Sequence, residues 1–493
     1  MVDIPFQQPH VALAYWHHHN RKQFDEVLFG GPFDKAKLSG FWKEVVSRKD
    51  PQISHHPMCS RPGWFERAIP IMIHGDAVPA VRVGKAGSKS WDCYSWQSCL
   101  THGASKKVKM YIFGLFEASK CKGTTAGLGP TMTECWKVTL DSFQAAYDGK
   151  FPDHEDRGGD DLAGGLFLVS WSLKGDLDYF AKGLLLRHYA ANSFCEYCPA
   201  HSDLNDPPML WNNFNDDARW KLSLFDKEAW RGNHTILHPI FQQFTFLSQH
   251  NVEPDELHIM YLGTVQHIVG SILWLLCYRS LPGTPEEHVV RVFKCICDYY
   301  TATNTATQYS NLGLSSFVDP SRARTEFPKL RGKGAEAKDI VAPLLHVWKT
   351  FHDHSSSDHQ QVCALLEMQI EAQAILSESK DHTFLPKSAA IRFGALINGI
   401  LKVYSKLAVE ANNRGDLLWN LTPKWHWLYH LGQKAVFINP RLVSCLVDED
   451  FVGLLSVIVG ASAQGSPMHK VPEKVAEQIS WAMHFEACER QDC

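Results

Sequence analysis

Two aspartates in this chain each follow a glycine where an apolar run stops: "IPIMIHGD" ends on Asp76 and "LFLVSWSLKGD" ends on Asp176. A single acid so placed is an ordinary turn former, because Gly-Asp pairs are common at strand ends. Two that meet are another matter. Adjacent carboxylates ionise together only when cations compensate them, and hard cations such as Mg2+ take oxygen ligands. A pair of such ions can activate a water or a 3'-hydroxyl on one side of a phosphodiester and stabilise the leaving oxygen on the other. That chemistry usually takes a third acid. Asp178 competes with Asp176, but Asp176 sits directly where the apolar run stops, whereas "LDYFAKGLLL" opens the next element.

A second constellation begins 17 residues after Asp178. "FCEYCPAH" supplies Cys195 and Cys198 as C-x2-C, and "GNHTILHPI" supplies His234 and His238 as H-x3-H. Two thiolates and two imidazoles suit tetrahedral zinc, so a structural Zn2+ on these four residues is the expectation. The competing reading is a buried cysteine pair with two histidines closing loops, since the chain holds 26 histidines and 14 cysteines. The triplet His17, His18, His19 and the pair His55, His56 read as loop or surface residues, because neighbouring side chains diverge. A Pro/Gly-interrupted basic loop, "DPSRARTEFPKLRGKGAEAK", carries Arg322, Arg324, Lys329, Arg331 and Lys333. It is either a solvated loop or a grip on nucleic-acid phosphates. Trp425, Trp427 and Tyr429 in "WHWLYH" fit core packing better than stacking on flipped bases.

The elements that must position these residues follow from periodicity. "IPIMIHG", "WDCYSWQSCL" and "KVKMYIFGLFEAS" are strand-like runs joined by short connections, hence antiparallel neighbours. "TECWKVTLDSFQAAYDG" has the spacing of an amphipathic helix, capped by Thr131 or Thr133, and "LFLVSWSLKGD" is again a strand. Strand, strand, strand, helix, strand is the order that opens an RNase-H-like fold. There the strand after the helix lies parallel beside the first. Asp76 and Asp176 are then expected at one edge of the sheet. Beyond residue 200 strand signals fade, and long stretches such as "ELHIMYLGTVQHIVGSILWLLC" and "KSAAIRFGALINGILKVYSKLAVEANN" show helical spacing.

"IPIMIHGD", "LKGD" followed by "CEYC", "NHTILHP", "DELHIMYLGTV" and "TPKWHWLYHL" resemble, in that order, the core of eukaryotic cut-and-paste DNA transposases with a DDE/D domain, nearest the CACTA (En/Spm), Plavaka and KDZ group. The resemblance spans roughly residues 65 to 465. It implies that Asp76, Asp176 and a Glu on a late helix hold two Mg2+ or Mn2+ ions. Glu449 in "LVDEDFVG" best matches that Glu, with Asp448, Asp450 and Glu410 as competitors. It also implies a D-x2-H motif made by Asp255 and His258, with His258 near the scissile phosphate or a neighbouring carboxylate. DNA is the implied partner, held by a homodimer or larger assembly. A catalytically inactive, domesticated DNA-binding relative and an unrelated RNase-H-like nuclease are the alternatives.

With 493 residues, 45% hydrophobic and 12% aromatic, the chain can bury a large core. The expected α/β organisation is a mixed N-terminal segment over 1–65, the first part of an RNase-H-like core over 66–192, and a Cys/His insertion over 193–254. A helical insertion over 255–420 and C-terminal helices over 421–493 complete it. A net charge of -4 supplies no global field toward nucleic acid, so DNA binding would use local basic patches. The scattered cysteines and the lack of a signal-peptide pattern at the start fit a reducing compartment, and the resemblance makes it the nucleus.

Overall fold

In the computed structural model, which describes residues 3–54, 56–80, 89–102, 105–121 and 127–489, one four-stranded sheet anchors the chain. His55 and the turn at 81–88 lie outside the described residues. The strands are β1 (Ala68–Ala80), β2 (Lys89–Ser98), β3 (Met110–Phe116) and β4 (Phe167–Lys174), in the spatial order β3-β2-β1-β4. β1 runs antiparallel to β2, β2 antiparallel to β3, and β1 parallel to β4. A parallel pair cannot be joined by a tight turn. Here the crossover contains a helix, Gly129–Asp148.

β1 and β4 are buried almost end to end, as expected of strands covered on both faces. On one face the crossover helix seats Trp136 edge-on against Tyr94, with ring centroids 5.3 Å apart. The helix starts on Gly129-Pro130, with Pro at the position that needs no N–H, and stops at Gly149 in the left-handed region (φ 76°). Neither Thr131 nor Thr133 caps it: Leu128 holds the cap position, and Thr131 Oγ1 instead accepts the Cys121 N–H at 2.9 Å.

Residues 1–65, expected to be mixed, are chiefly helical where described: α1 (Pro9–His19), α2 (Arg21–Phe29) and α3 (Lys35–Ser47), which places the crossover helix as α4. They are part of the core. His10 Nδ1 lies 2.8 Å from Ser142 Oγ on α4, and the Trp42 indole donates to the Ala68 carbonyl at 2.7 Å.

Among the described residues no strand follows β4. A short helix, α5 (Leu177–Lys182), comes next. α6 (Leu257–Ser280) carries π-helical turns at both ends. It is long and apolar enough to cross a bilayer, yet 94% of its most apolar window is buried inside the fold, so it reads as a core helix. Around it lie α7 (Pro285–Thr303), α8 (Val341–Phe351), α9 (Ser357–Glu378), α10 (Lys387–Asn413) and α11 (Pro423–Lys434). The final pair, α12 (Glu449–Ala463) and α13 (Val471–Glu489), returns to the sheet. Phe451, Leu455, Val459, Val471 and Val475 form a separate apolar cluster with Val78, Trp91, Tyr111 and Phe116. Ser456 Oγ also donates to the Pro79 carbonyl at 3.1 Å, so α12 is docked on the far half of β1.

Candidate functional site

Asp76 does not end its strand. β1 continues to Ala80 against β2, while its ladder with β4 stops at the His74–Lys174 rung. Gly75-Asp76 and Gly175-Asp176 are therefore the next two residues on parallel neighbours, level with each other, at the point where the two strands part. Each glycine has a steric reason. A Cβ on Gly75 would stand 2.1 Å from Cε2 of Tyr179, one on Gly175 2.2 Å from its Cδ1, and one on Gly183 2.5 Å from its Cδ2. Three glycines thus clasp one ring, and both aspartates are fixed beside it. Asp176 also caps α5, with Oδ1 accepting the Tyr179 N–H at 2.6 Å.

Asp76, Asp176, Asp178 and Tyr179 line a cavity of about 740 Å³. Burial, then the charge of Asp176, pushes the Asp76 carboxyl up to about 6; the Ala77 N–H, His258 and Lys109 pull it the other way. Burial is the larger cause and the neighbouring like charge the second. Asp178 lines the same cavity but pairs with Lys182 at 2.6 Å on the surface.

Of the three acids named in the late segment, Asp448 stands apart by burial. Asp448 is buried among ammonium groups, with Lys109 Nζ at 2.7 Å and Lys174 Nζ at 2.9 Å. Burial alone would raise its carboxyl, but Lys109, Lys174 and His74 outweigh that and hold it below the carboxylate range. Asp450 is exposed. Glu449 opens α12 and is also exposed by surface area; partial burial of its carboxyl raises it, against the charges of His258, Lys333 and Arg441. Glu410, on α10, faces Gln361 at 3.1 Å and Lys406 at 3.8 Å.

His258 is the link between these acids. Its Nδ1 lies 2.6 Å from Asp255 Oδ2, and Asp255 Oδ1 accepts the Cys445 N–H at 2.7 Å. Burial would lower the imidazole, but Asp255 and then Asp176 raise it. The same imidazole acts on Asp76 and Glu449. Asp76 and Asp176 are thus coupled directly, and Glu449 through His258. The three carboxylates do not gather within 4.8 Å as the thiols and imidazoles described next do.

The basic loop reaches this cleft at its second half. Lys329 is pinned by its N–H to the Phe317 carbonyl at 2.8 Å, and Lys333 acts on Glu449. Arg322 is spent on an exposed pair with Glu326 at 2.6 Å, while Arg324 and Arg331 are exposed. Lys424, at the start of α11, was not singled out by its sequence context. Burial, then Lys329, brings its ammonium down to about 8, against the pull of Asp255 and Asp176.

The zinc ligand set expected on His234 and His238 is corrected by the structure. Cys195 and Cys198 instead meet His426 and His430 of α11, all four buried. Five of the six edges are 3.3 Å for Cys195 Sγ–His430 Nε2 and for Cys198 Sγ–His426 Nε2, 3.7 Å for Cys198 Sγ–His430 Nε2, 3.2 Å for His426 Nε2–His430 Nε2 and 3.6 Å for Sγ–Sγ, and the sixth is under 4.8 Å. A tetrahedron with Zn–S of about 2.3 Å and Zn–N of about 2.0–2.1 Å has edges of roughly 3.8 Å (S–S), 3.5 Å (S–N) and 3.3 Å (N–N). The four atoms fit a metal such as zinc. His426 Nδ1 lies 2.9 Å from the Trp211 carbonyl, which leaves Nε2 free to ligate. His234 Nε2 instead meets Glu196 at 2.9 Å, and His238 caps a short helix through the Ile240 N–H at 3.1 Å with its ring against Trp136. His426 and His430 are one helical turn apart on one face, whereas no helix runs between His234 and His238. The tryptophans flanking His426 are occupied: Trp425 stacks on Tyr404 at 3.7 Å, and Trp427 is buried against Tyr197 at 5.5 Å.

Two further groupings include a thiol, His74–Cys445–Asp448 and Asp255–His258–Cys445. The first already surrounds Asp448 with two ammonium groups, which oppose a metal cation there. In comparisons with known proteins, the sequence matches no family model and no curated protein.

Proposed function

We propose that the chain is a metal-dependent DNA-cleaving and strand-transferring protein of the DDE/D transposase type, built on an RNase-H-like core and acting in the nucleus. The observation that carries this reading is the level placement of Asp76 and Asp176 at the parting of two parallel strands, with the Asp76 carboxyl raised by burial and then by Asp176. Two Mg2+ or Mn2+ ions held by Asp76, Asp176 and Glu449 would supply the Lewis-acid chemistry of phosphodiester cleavage. The chain's own residues do the rest. Asp255 orients His258 and favours its protonated form, so its free N–H can donate to a phosphate oxygen beside Asp176 and Glu449. Lys329, Lys333 and Lys424 place positive charge at the rim of the acids, where a polyanion's backbone would run. The Cys195–Cys198–His426–His430 centre, read as zinc, ties the Cys/His insertion to α11 and so to Lys424.

The test is nicking of supercoiled plasmid in Mg2+ or Mn2+ by the wild type and by Asp76→Ala. Metal-dependent nicking lost in the variant supports the enzyme. If neither protein nicks while both bind duplex DNA with the same salt dependence, the chain is a DNA-binding protein that retains the fold without the chemistry.

A further inference from the structure

We propose that Asp448 is a positioning residue: clamped between Lys109 and Lys174, it fixes the start of α12 and with it the direction of Glu449. The proposal rests on reading Asp76, Asp176 and Glu449 as a metal-holding triad.

The clamp joins elements far apart in sequence. Lys109 directly precedes β3, Lys174 closes β4, and Asp448 immediately precedes α12. Each carboxylate oxygen has its own ammonium, Oδ1 with Lys109 at 2.7 Å and Oδ2 with Lys174 at 2.9 Å. These are close charge contacts rather than aligned hydrogen bonds, and with His74 Nε2 also 3.6 Å from Oδ2 they pin the carboxylate from three sides. Lys174 also donates to the Ser444 carbonyl at 3.3 Å, and the Cys445 N–H donates to Asp255 at 2.7 Å. The segment 444–448 is therefore tied to the end of β4 and to the residue that orients His258. Glu449 is the next residue.

Stability alone does not explain such a cluster. The Lys109 and Lys174 side chains are fully buried and that of Asp448 is 1% exposed, and a buried ion pair seldom outdoes a well-packed apolar replacement. What ionic contacts add is direction. The apolar cluster under α12 sets its depth on β1, but apolar contacts alone leave the helix free to slide or rotate slightly. Asp448 removes that freedom at the end where Glu449 sits.

The experiment uses the purified full-length chain and Mn2+, with free Mn2+ followed by electron paramagnetic resonance, and compares wild type, Glu449→Gln, Asp448→Asn and the double variant Asp448→Asn/Lys109→Met. The double variant keeps the net charge of the buried cluster, so it is the informative protein should Asp448→Asn alone fail to fold. The expected result is Mn2+ affinity weakened at least tenfold in Asp448→Asn and in the double variant, comparable to Glu449→Gln, while the double variant melts like wild type. If the double variant, or a folded Asp448→Asn, binds Mn2+ as tightly as wild type, Asp448 acts only through stability and the proposal is overturned. If wild type binds no Mn2+, the triad reading itself fails, and that outcome is distinct from a loss confined to the Asp448 variants.

Discussion

Replacing Gly75 with Ala tests why a glycine precedes the first aspartate. The new Cβ would stand 2.1 Å from the Tyr179 ring, against the roughly 3.5–4.0 Å of an ordinary carbon contact, so the ring must retreat by about 1.5 Å. It has nowhere to go, because its other edge rests on Gly175, where even one added carbon would lie at 2.2 Å. The penalty should fall at the upper end of the overpacking range, about 3 kcal/mol, or roughly a hundredfold in the folding equilibrium. Urea unfolding followed by tryptophan fluorescence measures it. Tyr179→Leu in the same chain should recover most of the loss, giving a coupling of about 2 kcal/mol in the double-mutant cycle. A Gly75→Ala variant within 0.5 kcal/mol of wild type, or one that Tyr179→Leu leaves unrescued, would refute the clasp.

Purified protein should carry one zinc per chain by elemental analysis. Cys195→Ser or His430→Ala should abolish it, whereas His234→Ala and His238→Ala should keep it. Asp76 titrates near 6 in the fold against an ordinary 3.8, so the folded chain holds a proton that the unfolded chain has lost. Stability should therefore fall as pH rises from about 4 to 6 and stay lower above that. Asp76→Asn should be more stable than wild type at pH 7 by about 1–3 kcal/mol, with no gain at pH 4, and Mg2+ should narrow the gap by stabilising wild type only. Plasmid nicking should be lost in Asp176→Ala and survive in Asp178→Ala, since Asp178 is engaged with Lys182 on the surface. Lys424→Ala should weaken duplex DNA binding across sequences and lower the salt slope by about one.

The sheet and its acids were legible because the signals are local and the rules strict. Alternating turns, a helix between two apolar runs and a Gly-Asp after each run suffice to bring Asp76 beside Asp176. The role of each glycine was not legible, since nothing near Gly75 in sequence announces Tyr179. The Cys/His grouping was half legible. C-x2-C is compact enough to read directly, but H-x3-H puts both rings on one face only on a helix, which His426 and His430 share and His234 and His238 do not. "TPKWHWLYHL" has the Thr-Pro start of a helix, but its two histidines stand among aromatics that read as core packing. Asp448 shows the limit most plainly. In "VDEDF" three acids look equivalent, and only burial against Lys109 and Lys174, brought from the far ends of two strands, tells the clamp from its neighbour Glu449.

The order of these residues along the chain has a consequence in time. Asp76, Asp176, Lys109 and Lys174 lie in the first part of the polypeptide, while Asp448 and Glu449 come about 270 residues after Asp176, and His426 and His430 about 250. At the usual 5–20 residues per second, a ribosome needs roughly 15–55 s to cover that distance. Throughout that interval the nascent chain carries two acids without a third and two thiols without their imidazoles. A product truncated before residue 426 would lack both imidazoles of the Cys/His grouping, and one truncated before 448 would lack the partner of Lys109 and Lys174.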